Sequence, residues 1–403
     1  MKAAIMGYGT IGSGVYEVLD KNCKSVGKKA GEPIKVKYIL DLREFPGSPV
    51  EKLVIHDVEQ IVNDPEIGIV VETMGGTKPA YEFVKRCLLA GKHVVTSNKA
   101  LVAAHGTELI RIAEEKNISF LFEASVGGGI PIIRPLVESL GGEEILEISG
   151  ILNGTTNYIL TKMNEEGWSF EEALKRAQEL GYAERNPEAD IEGYDTCRKI
   201  AILTAVATGK EVNYEEIPTQ GITKITSMDS SYAAHMGAAI KLFGTSVNKD
   251  GKIYLEVAPV LVDAKDPLYA VTDVFNGILV VGNMLGASMF YGSGAGKLPT
   301  ASAVVGDMIS AVRFGDEPEK IGWSSEKLEI HPAAELSRKY FARFEGSEGA
   351  KKEAVAAAFG DVKFVTLEGT DEFAVLTGEM TGKEFDAAAA NVGGLRQKIA
   401  ARL

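Results

Sequence analysis

The first third of the chain alternates short apolar runs, rich in β-branched residues, with longer segments whose apolar residues recur at helical spacing. This alternation is typical of βαβ units, in which crossover helices join parallel strands. The predicted strands are Lys2–Met6, Lys35–Leu40, Ile67–Glu72, His93–Thr96 and Ile118–Phe122. The predicted helices are Ile11–Leu19, Ala80–Leu89 and His105–Glu115. Because right-handed crossovers place such helices on both faces of the sheet, the pattern predicts a doubly wound parallel α/β domain.

The pattern changes near residue 130, after a cluster of glycines. Strand-like runs at Ile145–Ile151 and Ile253–Val262 then mix with helices such as Ser169–Leu180. Ser169 and Glu172 have the spacing of a capping box, and Gly181 follows as a stop signal. We therefore predict a dinucleotide-type domain over residues 1–130, completed by a returning helix at 298–318, and a second, α+β domain over residues 131–297.

Residues 330–403 show a third pattern. The predicted elements are a strand at Tyr340–Phe344, a helix at Ala350–Phe359, a hairpin of Val362–Leu367 with Glu372–Gly378, and a helix at Glu384–Val392. This order is most of a ferredoxin-like split βαβ unit. Its last strand has to come from Arg396–Leu403, whose sequence is weak for a strand. We predict a third, small domain here.

Length and charge limit the function. A chain of 403 residues predicts two or three domains. Its formal net charge of -13 and pI of about 5.1 exclude nucleic acid as a favoured partner, since an acidic surface repels phosphates. The sequence has neither a signal-peptide pattern nor an apolar run long enough to span a membrane. Three cysteines without metal-binding spacing favour a reduced, cytoplasmic protein.

A glycine-rich turn follows the first predicted strand. Gly7, Gly9 and Gly12 match G-x-G-x-x-G and open a helix. In this context the glycines serve a tight turn, a close approach of backbone to pyrophosphate, and helix packing on the strand. The free N–H groups of the helix N-terminus then face the phosphates. The motif predicts a dinucleotide site in a Rossmann-type fold.

The end of the second strand bears on the choice of cofactor. Asp41 is placed to accept a hydrogen bond from a ribose 2′-hydroxyl, which would favour NAD, although it lies farther from Gly12 than is usual. Arg43 could instead receive a 2′-phosphate. Both residues are also compatible with a solvated loop pair. The preference between NAD and NADP therefore stays open, with NAD favoured.

Other polar segments follow the later strands, at the edge where doubly wound sheets bind ligands. Glu72-Thr73-Met74 follows one strand and Ser97-Asn98-Lys99 follows the next. Lys99 is placed to point at a nicotinamide or a substrate. The alternative is a surface lysine that merely begins a helix.

The segment from Gly181 to Lys199 is the richest in candidate chemistry. Asp195 and Lys199 are four residues apart, on a helical face that continues through apolar Ile202 and Val206. An exposed pair of this kind is usually a solvated salt bridge. A partly desolvated lysine, however, can have a pKa low enough for acid–base work, and we favour that interpretation. Glu184 and Asp190 add carboxylates suited to a substrate ammonium group.

Two further segments leave their role open. The cluster Asn153-Gly-Thr-Thr-Asn157 could bind a ligand or simply cap the next helix. The glycine-rich run from Gly292 to Thr300 could be a ligand loop or a turn before a helix.

Taken in order, several segments resemble the homoserine dehydrogenase family. They are GYGTIG, VETMGG, SNKALVA, FEASVGGGIPIIRPL, GILNGTTNYIL, GYAERNPEADIEGYDTCRKIAIL and GSGAGKLPTASAVVGD, and they extend from residue 1 to about residue 315. The resemblance implies NAD- or NADP-dependent interconversion of L-aspartate 4-semialdehyde and L-homoserine, in threonine, methionine and isoleucine biosynthesis.

The resemblance also implies roles for individual residues. Lys199 corresponds to the proton donor and acceptor, Lys99 to a second lysine between substrate and nicotinamide, and Asp195 to a member of the same catalytic group. The implied substrate-binding residues are Glu184, Asp190, Asp195, Gly181 and Thr155. The implied cofactor-binding residues are Gly7, Tyr8, Gly9, Thr10, Ile11, Gly12, Asp41, Arg43, Thr73, Met74, Ser97, Lys99 and Gly296. A structural monovalent cation, sodium, would map to Glu123, Val126, Gly128 and Ile130.

The C-terminal segment resembles the ACT regulatory module of longer family members, apart from its weak last strand. We state threonine as an effector, and a homodimer or homotetramer, as hypotheses. The rival functions are another amino-acid dehydrogenase on the same scaffold and a catalytically silent sensor of NAD and amino acids. A semialdehyde dehydrogenase needs a cysteine nucleophile, and Cys23, Cys87 and Cys197 do not fit that role.

Overall fold

The computed structural model describes residues 1–315, 317–318 and 320–403. These residues form two compact units, each built from three segments of the chain. The first unit comprises Met1–Glu143, Ala201–Tyr214 and Gly292–Leu328. The second comprises Glu144–Ile200, Glu215–Tyr291 and Glu329–Leu403.

The strands follow one another along the chain in two groups. Those of the first sheet are β1 (Lys2–Met6), β2 (Lys35–Leu40), β3 (Val54–Ile55), β4 (Ile67–Glu72), β5 (His93–Thr96) and β6 (Phe120–Leu121). Those of the second sheet are β7 (Ile145–Ile151), β8 (Ala238–Lys249), β9 (Lys252–Asp263), β10 (Phe275–Gly282), β11 (Gly286–Ser293), β12 (Ile330–Pro332), β13 (Lys339–Glu345), β14 (Lys363–Val365), β15 (Glu372–Leu376) and β16 (Leu395–Arg402).

The helices lie between these strands. In chain order they are α1 (Thr10–Lys21), α2 (Cys23–Ala30), α3 (Glu59–Val62), α4 (Ala80–Leu89), α5 (Lys99–Glu115), α6 (Gly154–Glu166), α7 (Phe170–Glu179), α8 (Glu188–Ile191), α9 (Tyr194–Thr208), α10 (Ser227–His235), α11 (Lys297–Arg313), α12 (Glu348–Phe359) and α13 (Gly382–Val392). A π-helical turn spans Pro135–Ser139. Along the described part of the chain, every helix is too short or too polar to cross a membrane.

The first sheet is parallel, with strand order β3-β2-β1-β4-β5-β6. This is the order of a dinucleotide-binding doubly wound fold, and it confirms the predicted fold class. Strand β1 lies inside the sheet, between β2 and β4, and four of its five residues are therefore fully buried. Helix α11 packs against α1, where a Cβ on Gly14 would lie 2.8 Å from the carbonyl oxygen of Lys297. The returning helix was predicted to extend to residue 318. That range includes residue 316, which lies outside the described residues.

In the first unit, the sequence pattern did not predict helix α2 and strand β3. Residues 22–33, between the predicted helix Ile11–Leu19 and the predicted strand Lys35–Leu40, contain α2, which buries Val26 and Ala30 four residues apart and is followed by Gly31 with a φ of 90°. The pattern failed because two apolar residues among lysines give little periodic signal. The edge strand β3 is only two residues long.

The second sheet is mixed, with strand order β11-β10-β7-β8-β9-β16-β13-β15-β14 and β12 paired to β9. The helix predicted at Ser169–Leu180 is α7, and its capping box of Ser169 with Glu172 is present. Gly181 follows with a φ of 75°, as expected for a stop signal.

The C-terminal elements β13-α12-β14-β15-α13-β16 form a complete split βαβ unit with strand order β16-β13-β15-β14. The last strand, which had to come from Arg396–Leu403 despite its weak sequence, is present as β16. Strand β16 pairs antiparallel with β13 and parallel with β9, so its neighbours on both sides stabilise it. Because strand formation depends on such neighbours more than on intrinsic propensity, the sequence of β16 gave little sign of it.

Candidate active site

The turn after β1 has the geometry of a phosphate-binding loop. Gly7 has a φ of 93°, which favours glycine, and a Cβ on Gly12 would lie 1.9 Å from the carbonyl oxygen of Gly7. The space around Gly9 is open to at least 4 Å within the described residues. Thr10 and Ile11 begin α1 directly after it. The loop thus presents backbone N–H groups to an open groove, as the motif predicts.

The carboxylate of Asp41 lies against this loop. Its Oδ2 accepts a hydrogen bond of 2.7 Å from the backbone N–H of Tyr8, and the Arg43 guanidinium donates from Nε and Nη2 at 2.9 Å to Oδ1 and Oδ2. The hydrogen bonds from Arg43 hold the pKa of Asp41 well below its usual range. Arg43 itself is 60% exposed. The end of β2 therefore carries an ionised acid together with a solvent-facing guanidinium.

Glu72, which the sequence placed at the ligand-binding edge without a role of its own, joins the ends of β4 and β5. This buried carboxylate accepts hydrogen bonds from Thr96 Oγ1 at 2.6 Å and from the N–H of Met74 at 2.7 Å. Burial raises the pKa of Glu72. Its neighbour Asn98 caps α5, so that Lys99 becomes the first residue of the helix. The signal that could have identified Glu72 is an acidic residue at the end of an apolar, strand-like run.

Other predicted cofactor residues lie at the same edge of the first sheet. Thr73 Oγ1 donates 2.8 Å to the carbonyl oxygen of Gly7, which ties the end of β4 to the glycine loop. The N–H of Ser97 lies 3.4 Å from the Glu72 carbonyl oxygen. Gly296, with a φ of 114°, precedes α11. The first unit thus brings together its part of the predicted cofactor set.

In the second unit, four side chains meet at the start of α6 and α9. Lys199 Nζ donates 2.7 Å to Asp195 Oδ2 and 2.7 Å to the carbonyl oxygen of Leu152. The Asn153 amide donates 2.7 Å to Asp190 Oδ1 and 2.9 Å to Asp195 Oδ2. Lys199 and Asp195 are both buried, so the pair is desolvated rather than a surface salt bridge. We call these four side chains the Lys199 cluster.

The remaining predicted substrate residues lie near this cluster in sequence but differ in exposure. Glu184 is exposed, and its carbonyl oxygen accepts from Gln178. Thr155 is buried and donates from Oγ1 to the carbonyl oxygen of Tyr182 at 2.6 Å, which fixes the segment after Gly181 to α6. Thr155 therefore stabilises the local fold through this hydrogen bond.

The residues expected to hold a cation form a mostly buried turn. Both carboxylate oxygens of Glu123 accept backbone N–H groups, from Ile132 at 2.6 Å and from Ile133 and Arg134 at 2.8 Å. Since a carboxylate has about four acceptor positions, little capacity is left for a metal. Any cation here would have to use main-chain oxygens. In the described residues, no group of three or more His, Cys, Asp or Glu side chains is arranged to hold a metal ion.

The glycine-rich run from Gly292 to Thr300 packs on the same turn. A Cβ on Gly128, whose φ is 58°, would lie 2.4 Å from the carbonyl oxygen of Gly294. The N–H of Gly129 donates 3.0 Å to the carbonyl oxygen of Ser293. The two glycine segments therefore pack backbone against backbone, and the distance leaves no room for a side chain at Gly128.

The parallel sheet order, the glycine loop and the ionised acid beside it define an NAD(P)-dependent oxidoreductase. Two family models match the chain, "Homoserine dehydrogenase, NAD binding domain" over residues 7–123 and "Homoserine dehydrogenase" over residues 131–309. The chain belongs to the homoserine dehydrogenase family.

Individual relatives agree with this assignment. A homoserine dehydrogenase of Synechocystis is 42% identical over 85% of this chain and 82% of its own. The crystal structure of a homoserine dehydrogenase from Thiobacillus denitrificans has a TM-score of 0.90 and 33% identity, covering 100% of this chain and 98% of its own. A hyperthermophilic archaeal homoserine dehydrogenase in complex with NADPH has a TM-score of 0.67 and 30% identity, over 77% of this chain and 97% of its own.

The enzyme acts on a CH–OH group and interconverts L-homoserine and L-aspartate 4-semialdehyde with NAD(P). The alternatives of a silent sensor and of a different amino-acid dehydrogenase are not favoured by these matches. Burial raises the pKa of the Cys197 thiol, which keeps it in its unreactive, protonated form.

Proposed function

We propose that Lys199 is the acid–base group of this reaction. Its ammonium donates a proton to the aldehyde oxygen of the semialdehyde when the alcohol forms, and it takes that proton back in the reverse direction. The bound nicotinamide supplies or accepts the hydride at the same carbon. The observation that carries the proposal is the buried, hydrogen-bonded contact of Lys199 with Asp195 and the Leu152 carbonyl. Asp195 stabilises the charged lysine and orients it.

The acids around Lys199 suit the substrate ammonium group. Asp190 and Asp195 against Lys199 leave one net negative charge in the Lys199 cluster. Glu184 adds a further exposed carboxylate on the preceding segment. We assign substrate binding to these three acids, with Gly181 and Thr155 shaping the segment between α7 and α8.

The cofactor set lies on the first unit. We assign the phosphates to the Gly7–Gly12 loop and the adenosine ribose to Asp41, which favours NAD, while Arg43 is the group that would admit a 2′-phosphate. Lys99, at the first turn of α5, is assigned to the contact between nicotinamide and substrate. Thr73, Met74, Ser97 and Gly296 complete this set.

We also propose a structural monovalent cation held by main-chain oxygens of the segment from Glu123 to Ile130. Glycine-rich turns leave such oxygens free to converge, and oxygen donors suit a hard cation. The Glu123 side chain contributes charge rather than a coordination bond, because its oxygens are committed to three N–H donors.

The split βαβ unit from β13 to β16 is our candidate for a regulatory module, with threonine as its effector. The completed split βαβ order supports the resemblance to an ACT module. A homodimer or homotetramer is supported by apolar side chains on and beside the edge strand β11, where Met284 is 81% and Leu285 58% exposed. Threonine titration of the intact enzyme tests the regulatory part. An activity curve unchanged up to saturating threonine would refute it.

Replacing Lys199 by methionine tests the catalytic assignment. We expect kcat to fall by about a thousandfold, with a much smaller change in KM, because the lost group acts mainly in the transition state. The matched control is Lys241→Met, since Lys241 is also buried in the second unit but donates its hydrogen bonds to the Val271 carbonyl and the Asn157 side chain rather than to a carboxylate. Lys199→Met turnover within a few-fold of the Lys241→Met control would show that another group moves the proton.

A further inference from the structure

Asn153 connects two of the three acids proposed to bind substrate, Asp190 and Asp195, through a single amide group. It is 6% exposed and lies directly after β7, as the residue that caps α6. Its Oδ1 accepts 2.9 Å from the N–H of Thr156, as in any helix cap. Its amide nitrogen donates to Asp190 on α8 and to Asp195 on α9. One side chain therefore serves a helix end and two carboxylates.

We propose that Asn153 is a positioning residue of the reaction, whose amide keeps Asp190 and Asp195 ionised and holds Asp195 against Lys199. This inference rests on the proposed function, since it assumes that Lys199 and the acids act as assigned. Asn153 touches neither the reacting carbon nor its oxygen in this assignment, and it acts through Asp195.

The need for such a residue follows from charge. Two carboxylates that share one donor nitrogen lie within about 6 Å of each other, where like charges raise a carboxyl pKa. A hydrogen bond donated to a carboxylate favours its ionised form and opposes this effect. Lys199 contributes the positive charge on one side, and the Asn153 amide contributes two N–H donors between the acids.

The backbone fits the same role. The carbonyl of Leu152, the residue before Asn153, accepts the second hydrogen bond of Lys199. Leu152 and Asn153 thus fix the ammonium and its carboxylate partner from adjacent positions at the end of β7. Since Lys199 and Asp195 are four residues apart on α9, these contacts fix the position of the pair relative to the end of β7.

A purely structural role is the competing explanation, because Asn153 also caps α6. The variant Asn153→Asp separates the two roles. Aspartate is as good a helix cap as asparagine, so the end of α6 keeps its acceptor. The variant loses both N–H donors, however, and places a third carboxylate between Asp190 and Asp195.

The test measures kcat, KM and thermal stability of the full-length enzyme with homoserine, across pH 5 to 10. For Asn153→Asp we expect kcat/KM at neutral pH to fall by about tenfold to a hundredfold, the effect of losing hydrogen bonds to charged groups. The acid limb of the kcat/KM profile should move up by at least about one pH unit, because crowded carboxylates hold a proton more tightly. Asn153→Ser, which caps the helix but has no amide, should lose activity with a smaller pH shift.

The matched control is Asn157→Ser. Asn157 lies in the helix that Asn153 caps, is also buried, and donates to the carbonyls of Val271, Asp273 and Phe275 instead of to acids. It should lower thermal stability while leaving the pH profile in place. If Asn153→Asp keeps the wild-type profile and kcat/KM, the positioning role is refuted and the cap alone remains.

Lys199→Met measured in the same assay separates this outcome from failure of the proposed function. A nearly inactive Lys199→Met beside an unaffected Asn153→Asp would overturn only the inference about Asn153. An active Lys199→Met would overturn the catalytic assignment itself, and with it the premise of the inference.

Discussion

The second unit contains two buried ionic clusters with different construction. The Lys199 cluster joins a lysine to Asp195 and, through Asn153, to Asp190. The other joins Arg343 on β13 to Asp229 on α10 and to Glu372 on β15, at 2.6 to 2.7 Å. We call the second group the Arg343 cluster. Both are desolvated, so neither is a surface salt bridge.

The choice of cation distinguishes their roles. Arginine stays charged at any pH that the protein meets, and its planar fork binds two carboxylates at once, which suits a permanent joint between elements. Lysine can change its protonation state and carries a compact charge. The Arg343 cluster accordingly ties the split βαβ unit to α10, whereas the Lys199 cluster lies among the predicted substrate residues. Burial of a charge pair alone does not mark an active site, but the type of cation helps to do so.

Breaking the Arg343 cluster should have the largest effect on stability. For Arg343→Met we expect unfolding free energy to fall by about 3–5 kcal/mol, because Asp229, fully buried, loses its charged partner. Urea unfolding measures this. The double variant Arg343→Met with Asp229→Asn should recover part of the loss. Turnover per folded molecule should stay near wild type, and a loss like that of Lys199→Met would contradict the division of roles.

Lys241 offers a sharper comparison, since it is a buried lysine that donates hydrogen bonds to two neutral oxygens, those of Val271 and Asn157. Desolvation lowers the pKa of Lys241 to about 8. Below pH 8 the native state bears the full cost of the buried charge. As the pH rises from about 8 towards 10.5, the native state releases the proton first, so stability from this residue increases.

We therefore expect the stability difference between wild type and Lys241→Met to change in favour of wild type by up to about 3 kcal/mol between pH 7 and 10.5. Denaturant unfolding of both proteins at matched pH values gives this difference and removes effects common to both. A difference that is flat with pH would mean that Lys241 keeps its ordinary pKa in the fold.

The pair formed by Asp41 and the exposed Arg43 should show the smallest effect, and one on specificity rather than on stability. Arg43→Ala is expected to lower kcat/KM with NADP by about tenfold and with NAD by less than about twofold, since only NADP carries a 2′-phosphate. Steady-state kinetics with both cofactors checks this. Asp41→Asn, as the companion variant, should weaken NAD. Equal losses with both cofactors after Arg43→Ala would remove Arg43 from the discrimination.

Much of the first unit could be predicted from local patterns. The glycine loop, the strands β1, β2, β4 and β5, and helix α4 follow from short-range periodicity and turn chemistry. Helix α2 was missed, and strand β16 gave only a weak signal, because weak local patterns are stabilised by neighbours that lie far away in the sequence. The sequence placed Glu72 at the ligand-binding edge but gave no sign of its hydrogen bond with Thr96, because Thr96 comes from the next strand.

The sequence by itself determined the fold class, the family and the residue types available for catalysis. The tertiary structure decided which of them meet. Asn153 lies 37 residues from Asp190 and 42 from Asp195, and Arg343 lies 114 residues from Asp229. Such contacts depend on how helices and strands pack, and local propensity carries no information about them. For this reason Lys199 could be proposed as a candidate from the chain, whereas the amide that contacts both Asp190 and Asp195 could not.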